Sequence, residues 1–266
     1  MALPNTIRVS TWHELQVELY RDAWQEELER FRPTVAFRGV AHARYELVNS
    51  LARLGPVSTE FEGHILRNFR KYAQRNTVSI DSVWNWLAVA QHYGLPTRLL
   101  DWTYSPYVAL HFATECLDTF TDDAMVWCVN YAKTNQLLPD SLQEILAEEG
   151  SMVFTADMLG RAASSLHDFD ALAREDFVAF FEPPSFDDRI TNQFALFALP
   201  SSPRVHFDQW LMRHSDVYRT ITIPAALKWE VRDKLDQANI TERVLYPGLD
   251  GLSRWLKRYY TPRTTG

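Results

Sequence analysis

Hydrophobic positions along the chain change period several times, and each change marks an element. Trp12, Leu15, Leu19 and Trp24 recur near helical spacing behind Thr11-Trp-His-Glu14, a capping-box pattern, and predict a helix running to about Phe31. Val35 to Gly39 is short and apolar and reads as a strand that carries Arg38 to its tip. Leu47 to Leu54 reads as a loop or turn. Thr59 and Glu62 repeat the capping-box spacing ahead of a helix with Phe61, Ile65, Phe69 and Tyr72 on one face, and a polar linker follows over Arg75–Ser79. Asp81 is placed to cap the next helix, which Gly94 and Pro96 end. Thr97 to Thr103 reads as a buried strand, and Ser105 with Pro106 opens a helix reaching about Leu117.

The second half is richer in strands. Ala124 to Tyr131 is a dense apolar run that reads as a central strand. Residues 132–175 are less regular, with one helix over Asp140–Glu149 and an Ala-rich tract near Leu159 to Ala173, and read as a mobile insertion. Phe177 to Phe181 and the run after Gln193, up to Pro200, read as strands; so does the β-branched, alternating Val217 to Ile223. Helices are expected over Phe207–Arg213, Ala225–Gln237 and Asp250–Tyr259. This mixed order predicts an α+β fold: a helical extension over 1–34, a main domain over 35–256 and a tail over 257–266.

Composition narrows the class. The 266 residues are 46% hydrophobic and include nine Trp, enough for a full core. No apolar run approaches the roughly 20 residues that span a bilayer. The N-terminus lacks a basic and then apolar leader, so no membrane association and a cytoplasmic location are expected. Cys116 and Cys128 are too few for a disulfide framework. A net charge of −7 speaks against broad, non-specific nucleic-acid binding. The histidines show no metal-ligand spacing, and neither a Gly-rich phosphate loop nor a Gly-x-Ser-x-Gly nucleophile is present.

The chemistry concentrates between Trp84 and Ala113. Gln91, His92, Thr97, Arg98, Asp101, Thr103 and Ser105 sit there inside an aromatic and aliphatic stretch. Buried polar groups must be hydrogen-bonded or they cost a few kcal/mol each, so the cluster is either a structural network or a site. Structural readings stand beside the functional ones. Arg38 can pair with Asp101 as scaffolding, as can Arg98; His92 can cap the turn at Gly94; Gln193 can satisfy backbone groups. Trp84, Trp86 and Trp102 are the aromatics considered for ligand stacking.

Phe37-Arg38-Gly39, then Gln91-His92-Tyr-Gly94-Leu-Pro96-Thr97-Arg98-Leu-Leu-Asp101-Trp102-Thr103 and Ala109-Leu-x-Phe112-Ala113, resemble the FRG domain family, named for its Phe-Arg-Gly triplet. Arg189-Ile190 with Gln193, and Leu245-Tyr-Pro247-Gly-Leu249-Asp250-Gly251-Leu252, continue the resemblance, whereas Ala195 stands where the family usually has Gly. The pattern is similar in turn to ADP-ribosyltransferases of the Arg-Ser-Glu type. That similarity implies a split β-sheet core and an NAD-consuming enzyme that modifies a protein or nucleic acid. It also implies a bacterial toxin or phage-defence setting, with an antitoxin or regulatory partner. On this resemblance Arg38, Thr103, Ser105 and Gln193 are the catalytic candidates. Arg38, Gly39, Gln91, His92, Thr97, Arg98, Asp101 and Trp102 would hold the NAD. No metal is implied. A carboxylate would stabilise developing positive charge on the ribose better than the neutral Gln193, and Glu182 or Glu242 are the substitutes considered. The alternative is a non-catalytic module that binds a nucleotide or partner.

Overall fold

A computed structural model describes residues 5–55, 57–73, 77–78 and 80–263. Most of the linker expected over Arg75–Ser79 and the first residues of the N-terminus lie outside the described residues. Strand β1 (Thr6–Arg8) leads into helix α1 (Trp12–Leu19), where Thr11 Oγ1 accepts from the Glu14 amide at 3.1 Å and the Glu14 carboxylate accepts from the Ser10 amide at 2.7 Å. The helix expected to reach Phe31 stops at Leu19. Asp22 and Glu29 adopt positive φ, and a small ribbon, β2 (Trp24–Gln25) with β3 (Arg30–Phe31), follows, its Trp24 and Phe31 rings 5.2 Å apart. Apolar spacing alone does not continue a helix through residues that favour a left-handed turn.

Strand β4 (Val35–Val40) is followed by α2 (Glu62–Tyr72) and α3 (Val83–His92). The Thr59–Glu62 capping box does not form: α2 has no side-chain cap, and the Glu62 carboxylate turns inward to Arg98 instead. Ser82, not Asp81, caps α3, while Asp81 accepts from Trp86 Nε1 at 2.7 Å. Gly94, at φ 79°, ends that helix in the left-handed region open to glycine. Strand β5 is shorter than expected (Leu100–Thr103), and α4 (Pro106–Thr114) opens on Ser105 with Pro106 in its first turn. Then come β6 (Ala124–Asn130), α5 (Tyr131–Thr134), α6 (Asp140–Glu149), α7 (Ala156–Ala162), α8 (Leu166–Asp170), β7 (Val178–Phe181), α9 (Asp188–Asn192) and β8 (Ala195–Pro200). The chain closes with α10 (Phe207–Arg213), β9 (Tyr218–Ile223), α11 (Ala225–Gln237), α12 (Glu242–Leu245) and α13 (Leu249–Tyr259).

The fold is α+β around a mixed seven-stranded sheet in the order β1-β9-β6-β4-β5-β8-β7. Among the described strands of this sheet only β1 and β9 pair in parallel. Strands β4 and β6 are in register over their full length, from Val35 opposite Asn130 to Val40 opposite Met125, whereas β4 and β5 meet at one position, Phe37 opposite Thr103. The sheet is thus two halves hinged at one bridge.

Side chains alternate across the sheet as the two-residue strand period requires. Met125, Trp127 and Val129 join a core on one face with Trp102, Phe180 and Phe207. Ala124, Val126 and Cys128 join a core on the other face with residues of α1, α4 and α11. On that second face, the other half of the sheet carries a third core, built on Trp84, Leu87, Phe181 and Phe197. Residues 132–175, read from sequence as a mobile insertion, contribute to this core: Leu142, Leu146, Phe154, Leu159 and Phe169 are buried in it, and Trp84 donates to the Ala163 carbonyl at 3.0 Å. Trp84 and Trp86 are therefore core side chains. The two cores on the second face are separated where β4 meets β5, and the polar residues collect there.

Among the described residues, no helix is long and apolar enough to cross a membrane. Cys116 and Cys128 are both free thiols.

Candidate functional site

A cavity of about 390 Å³ opens at the β4–β5 junction. Arg38, Gln91, Asp101, Thr103, Gln193 and Glu115 are among the residues around it, so side chains far apart in sequence meet in one place. A second hollow of about 950 Å³ shares Gln91, His92, Asp101, Arg189 and Tyr246 with it.

Arg38 is not at the tip of its strand, as expected from sequence, but within β4, opposite Trp127, with Gly39 and Val40 still paired beyond it. Its guanidinium donates to the backbone carbonyl of Asp101, and its Nε is shielded from solvent with no hydrogen-bond partner among the described residues. Within the same residues no carboxylate forms an ion pair with it. Burial lowers its pKa from the ordinary value; the charge of Asp101 opposes the shift and Arg53 reinforces it. Arginine stays protonated through such shifts, so the cavity wall carries a cation that Asp101 influences without an ion-pair contact among the described residues. Gly39 lets β4 press against α4, because a Cβ there would fall 1.7 Å from the Ala109 carbonyl oxygen.

Gln91 is fixed at both ends. Its Nε2 lies 3.1 Å from each Asp101 carboxylate oxygen, and its Oε1 accepts from Thr97 Oγ1 at 2.6 Å. Thr97 is buried behind the wall and acts through Gln91. His92 Nε2 faces Asp187 Oδ2 at 2.9 Å; burial lowers the His92 pKa, against the pull of Asp187. Across the hollow, Arg189 and Arg254 each lie 5.1 Å from the centroid of the Tyr246 ring. Burial is the main reason that the Tyr246 hydroxyl keeps its proton well above the ordinary range.

Other expected site residues do structural work. Thr103 Oγ1 donates to the Gln193 carbonyl at 2.7 Å and accepts from the Ser105 amide at 3.0 Å, so it ties two chain turns together. Ser105 caps α4 through the Val108 amide and does not border the cavity. Gln193 is not the first residue of a strand: it caps the C-terminus of α9, Phe194 follows at φ 48°, and its Nε2 donates to the Leu245 carbonyl at 2.9 Å.

Arg98 does not border the Arg38 cavity and does not pair with Asp101. It is buried against Glu62, at 2.6 Å, and Asp170. Trp102 borders the cavity, yet its ring packs 5.6 Å from Phe207 in the opposite core, so it offers no stacking face. Glu182 accepts from the Tyr104 hydroxyl at 2.6 Å and Glu242 is bound to Arg258; neither borders the Arg38 cavity. Glu115, Arg189 and Tyr246 do; none was among the expected site residues, although Arg189 and Tyr246 lie in motifs that carry the resemblance. Glu115 carries no local signal, as it simply follows the last turn of α4.

Residues 33–122 match the family model of the FRG domain. The chain thus carries an FRG domain, and the match includes β4, α3, β5 and α4 with Arg38, Gln91, Asp101, Thr103 and Glu115. Arg189, Gln193 and Tyr246 complete the cavity from beyond it. No curated protein and no solved structure gives a significant match to the chain.

Proposed function

We propose that the chain is an ADP-ribosyltransferase that consumes NAD and modifies a macromolecule, nucleic acid or protein. The observation that carries this reading is Arg38: a half-buried guanidinium with a shielded Nε, whose hydrogen bond among the described residues goes to a backbone carbonyl, on the wall of a 390 Å³ cavity. A guanidinium left with free donors suits a pyrophosphate or ribose hydroxyls, which it meets with charge-assisted hydrogen bonds. The order Arg38-Gly39, Thr103 ahead of Ala109-x-x-Phe112, then Gln193, is similar to the Arg-Ser-Glu pattern and supports the assignment. So does a sheet divided at one register position. In this reading Arg38 binds the phosphates, Thr103 braces the β5–α4 turn against Gln193, and the Gln193 side-chain oxygen holds a ribose hydroxyl. Such an activity suits a toxin or phage-defence effector held in check by a partner.

A second reading, a non-catalytic nucleotide-binding module, is favoured by the commitment of the Gln193 amide to Leu245. Nicotinamide release from NAD, measured beside a calorimetric NAD titration, separates the two. Release with binding supports the transferase; binding without release supports the module.

A further inference from the structure

Resting on the transferase reading, we propose that Glu115 is the proton acceptor of this site and that the groove beyond it admits the nucleophile. Glu115 stands at a junction. It borders the Arg38 cavity, and with Tyr246 it also borders a neighbouring groove of about 850 Å³ that runs past Phe120 and Trp229 to Arg254 and Lys257.

A buried Arg-His pair stands directly behind its carboxylate. Arg232 Nη1 lies 3.0 Å from His111 Nδ1, and a guanidinium can only donate. Nδ1 therefore accepts, and the imidazole proton sits on Nε2. That nitrogen is wholly buried and has no hydrogen-bond partner among the described residues; its nearest carboxylate oxygen is Glu115 Oε2, 3.4 Å away and out of hydrogen-bond alignment as the side chains stand. Arg232 is itself fixed by the Ile240 carbonyl and by Asp236, 3.4 Å away. A small rotation of the Glu115 side chain would bring its carboxylate onto this N–H, giving a base held by a second group that is held by a third, as proton-transfer chemistry uses. The other carboxylates weighed for the reaction are spent: Glu182 on Tyr104, Glu242 on Arg258.

In the step assigned to Glu115, the bond from the nicotinamide-ribose anomeric carbon to the nicotinamide nitrogen breaks, and both electrons leave on nicotinamide. An O–H or N–H nucleophile entering from the groove bonds to that carbon, and its proton passes to the Glu115 carboxylate. Water is the nucleophile when no macromolecule is present.

Nicotinamide release and NAD affinity are measured for the full chain and for Glu115→Gln and Glu115→Ala, each checked by thermal melting. Glu115→Gln is expected to slow release about 100-fold or more, as loss of a general base does, with the NAD Kd within about threefold. Formate is expected to restore part of the Glu115→Ala rate, which a merely structural glutamate would not allow. Release within about threefold of wild type in Glu115→Gln overturns the proposal and leaves the transferase reading standing. Loss of NAD binding in parallel with release also overturns it, making Glu115 a ligand contact. A wild-type chain that binds no NAD, or binds it without release, overturns the transferase reading and the proposal with it.

Discussion

Arg38 bonds to the main chain of Asp101 and not to its carboxylate; the Asp101 side chain is held by Gln91 instead. The two charges thus share a wall without neutralising each other. A scaffolding arginine would have taken the carboxylate at hand, since a buried ion pair broken on one side leaves a costly charge. Here the network across β4, β5 and α3 keeps Arg38 charged and its donors available.

Arg38→Ala is therefore expected to weaken NAD binding by about 1.5–3 kcal/mol, the worth of hydrogen bonds to a charged group. The fold should survive, because no buried carboxylate loses its partner. Calorimetric titration and thermal melting check the two halves. A large fall in Tm would place Arg38 among the scaffolding residues.

Arg98 has the opposite character. Its guanidinium is buried, with Glu62 and Asp170 as partners, and it joins β5's approach to α2 and α8. Arg98→Ala strands the buried Glu62 carboxylate and should cost about 3–5 kcal/mol of stability. Urea denaturation of the variant measures this. A shift below about 1 kcal/mol would show that water reaches Glu62.

Gly39→Ala should be as damaging through packing alone. The added methyl would sit 1.7 Å from the Ala109 carbonyl oxygen and 2.8 Å from the Ala113 nitrogen, both backbone atoms of α4. Backbone cannot rotate away as a side chain does, so α4 must shift from β4. Overpacking of this kind costs about 1–3 kcal/mol or more. Chemical denaturation gives the stability loss, and NAD titration should show weakened binding, since Arg38 is the adjoining residue.

Legibility in the sequence followed locality. Ser105-Pro106 encodes a helix start within two positions, and α4 begins there. The burial of β6 was visible as a continuous apolar run because both of its faces are covered. Gathering Arg38, Gln91, Asp101 and Gln193 around one cavity needed only that their motif positions share a site. What escaped depends on tertiary partners. Glu62 has capping-box spacing, yet the buried Arg98 outcompetes the helix amide for its carboxylate. The Ala-rich tract near Leu159 to Ala173 read as part of a mobile insertion, because helices α7 and α8 are shorter than the window over which helical periodicity shows. Glu115 became visible only through His111 and Arg232, and Arg232 comes from a helix more than a hundred residues further along.

His92 should make stability depend on pH. Its ring is nearly buried, and burial lowers its pKa; Asp187 pulls upward and Arg189 downward. A group with a lower pKa in the folded chain binds its proton more readily when unfolded. Stability should therefore be full above the unfolded histidine value of about 6.5 and fall as pH drops from there toward the folded value. Urea midpoints between about pH 7.5 and pH 5 for wild type and His92→Gln test this. The variant should lose the His92 part of the slope, and identical slopes would place the titration elsewhere.

Gln193 offers the sharpest contrast between its structural and chemical roles. Its Nε2 donates to the Leu245 carbonyl, and its own carbonyl accepts from Thr103, so one residue pins α12 and β5 to the α9–β8 turn. Gln193→Glu would turn a carboxylate oxygen toward the Leu245 oxygen, replacing a hydrogen bond with repulsion, and should cost about 1–3 kcal/mol. Gln193→Ala loses the bond without adding a charge and should cost less. The side-chain oxygen is the atom assigned to the ribose hydroxyl, and glutamate keeps an oxygen where alanine does not. The two variants are therefore expected to diverge: Gln193→Glu less stable but still turning over NAD, Gln193→Ala more stable but slower. Melting temperature and nicotinamide release, read on the same samples, decide it. Unchanged release in a folded Gln193→Ala chain would take Gln193 out of the chemistry and leave it only its grip on Leu245.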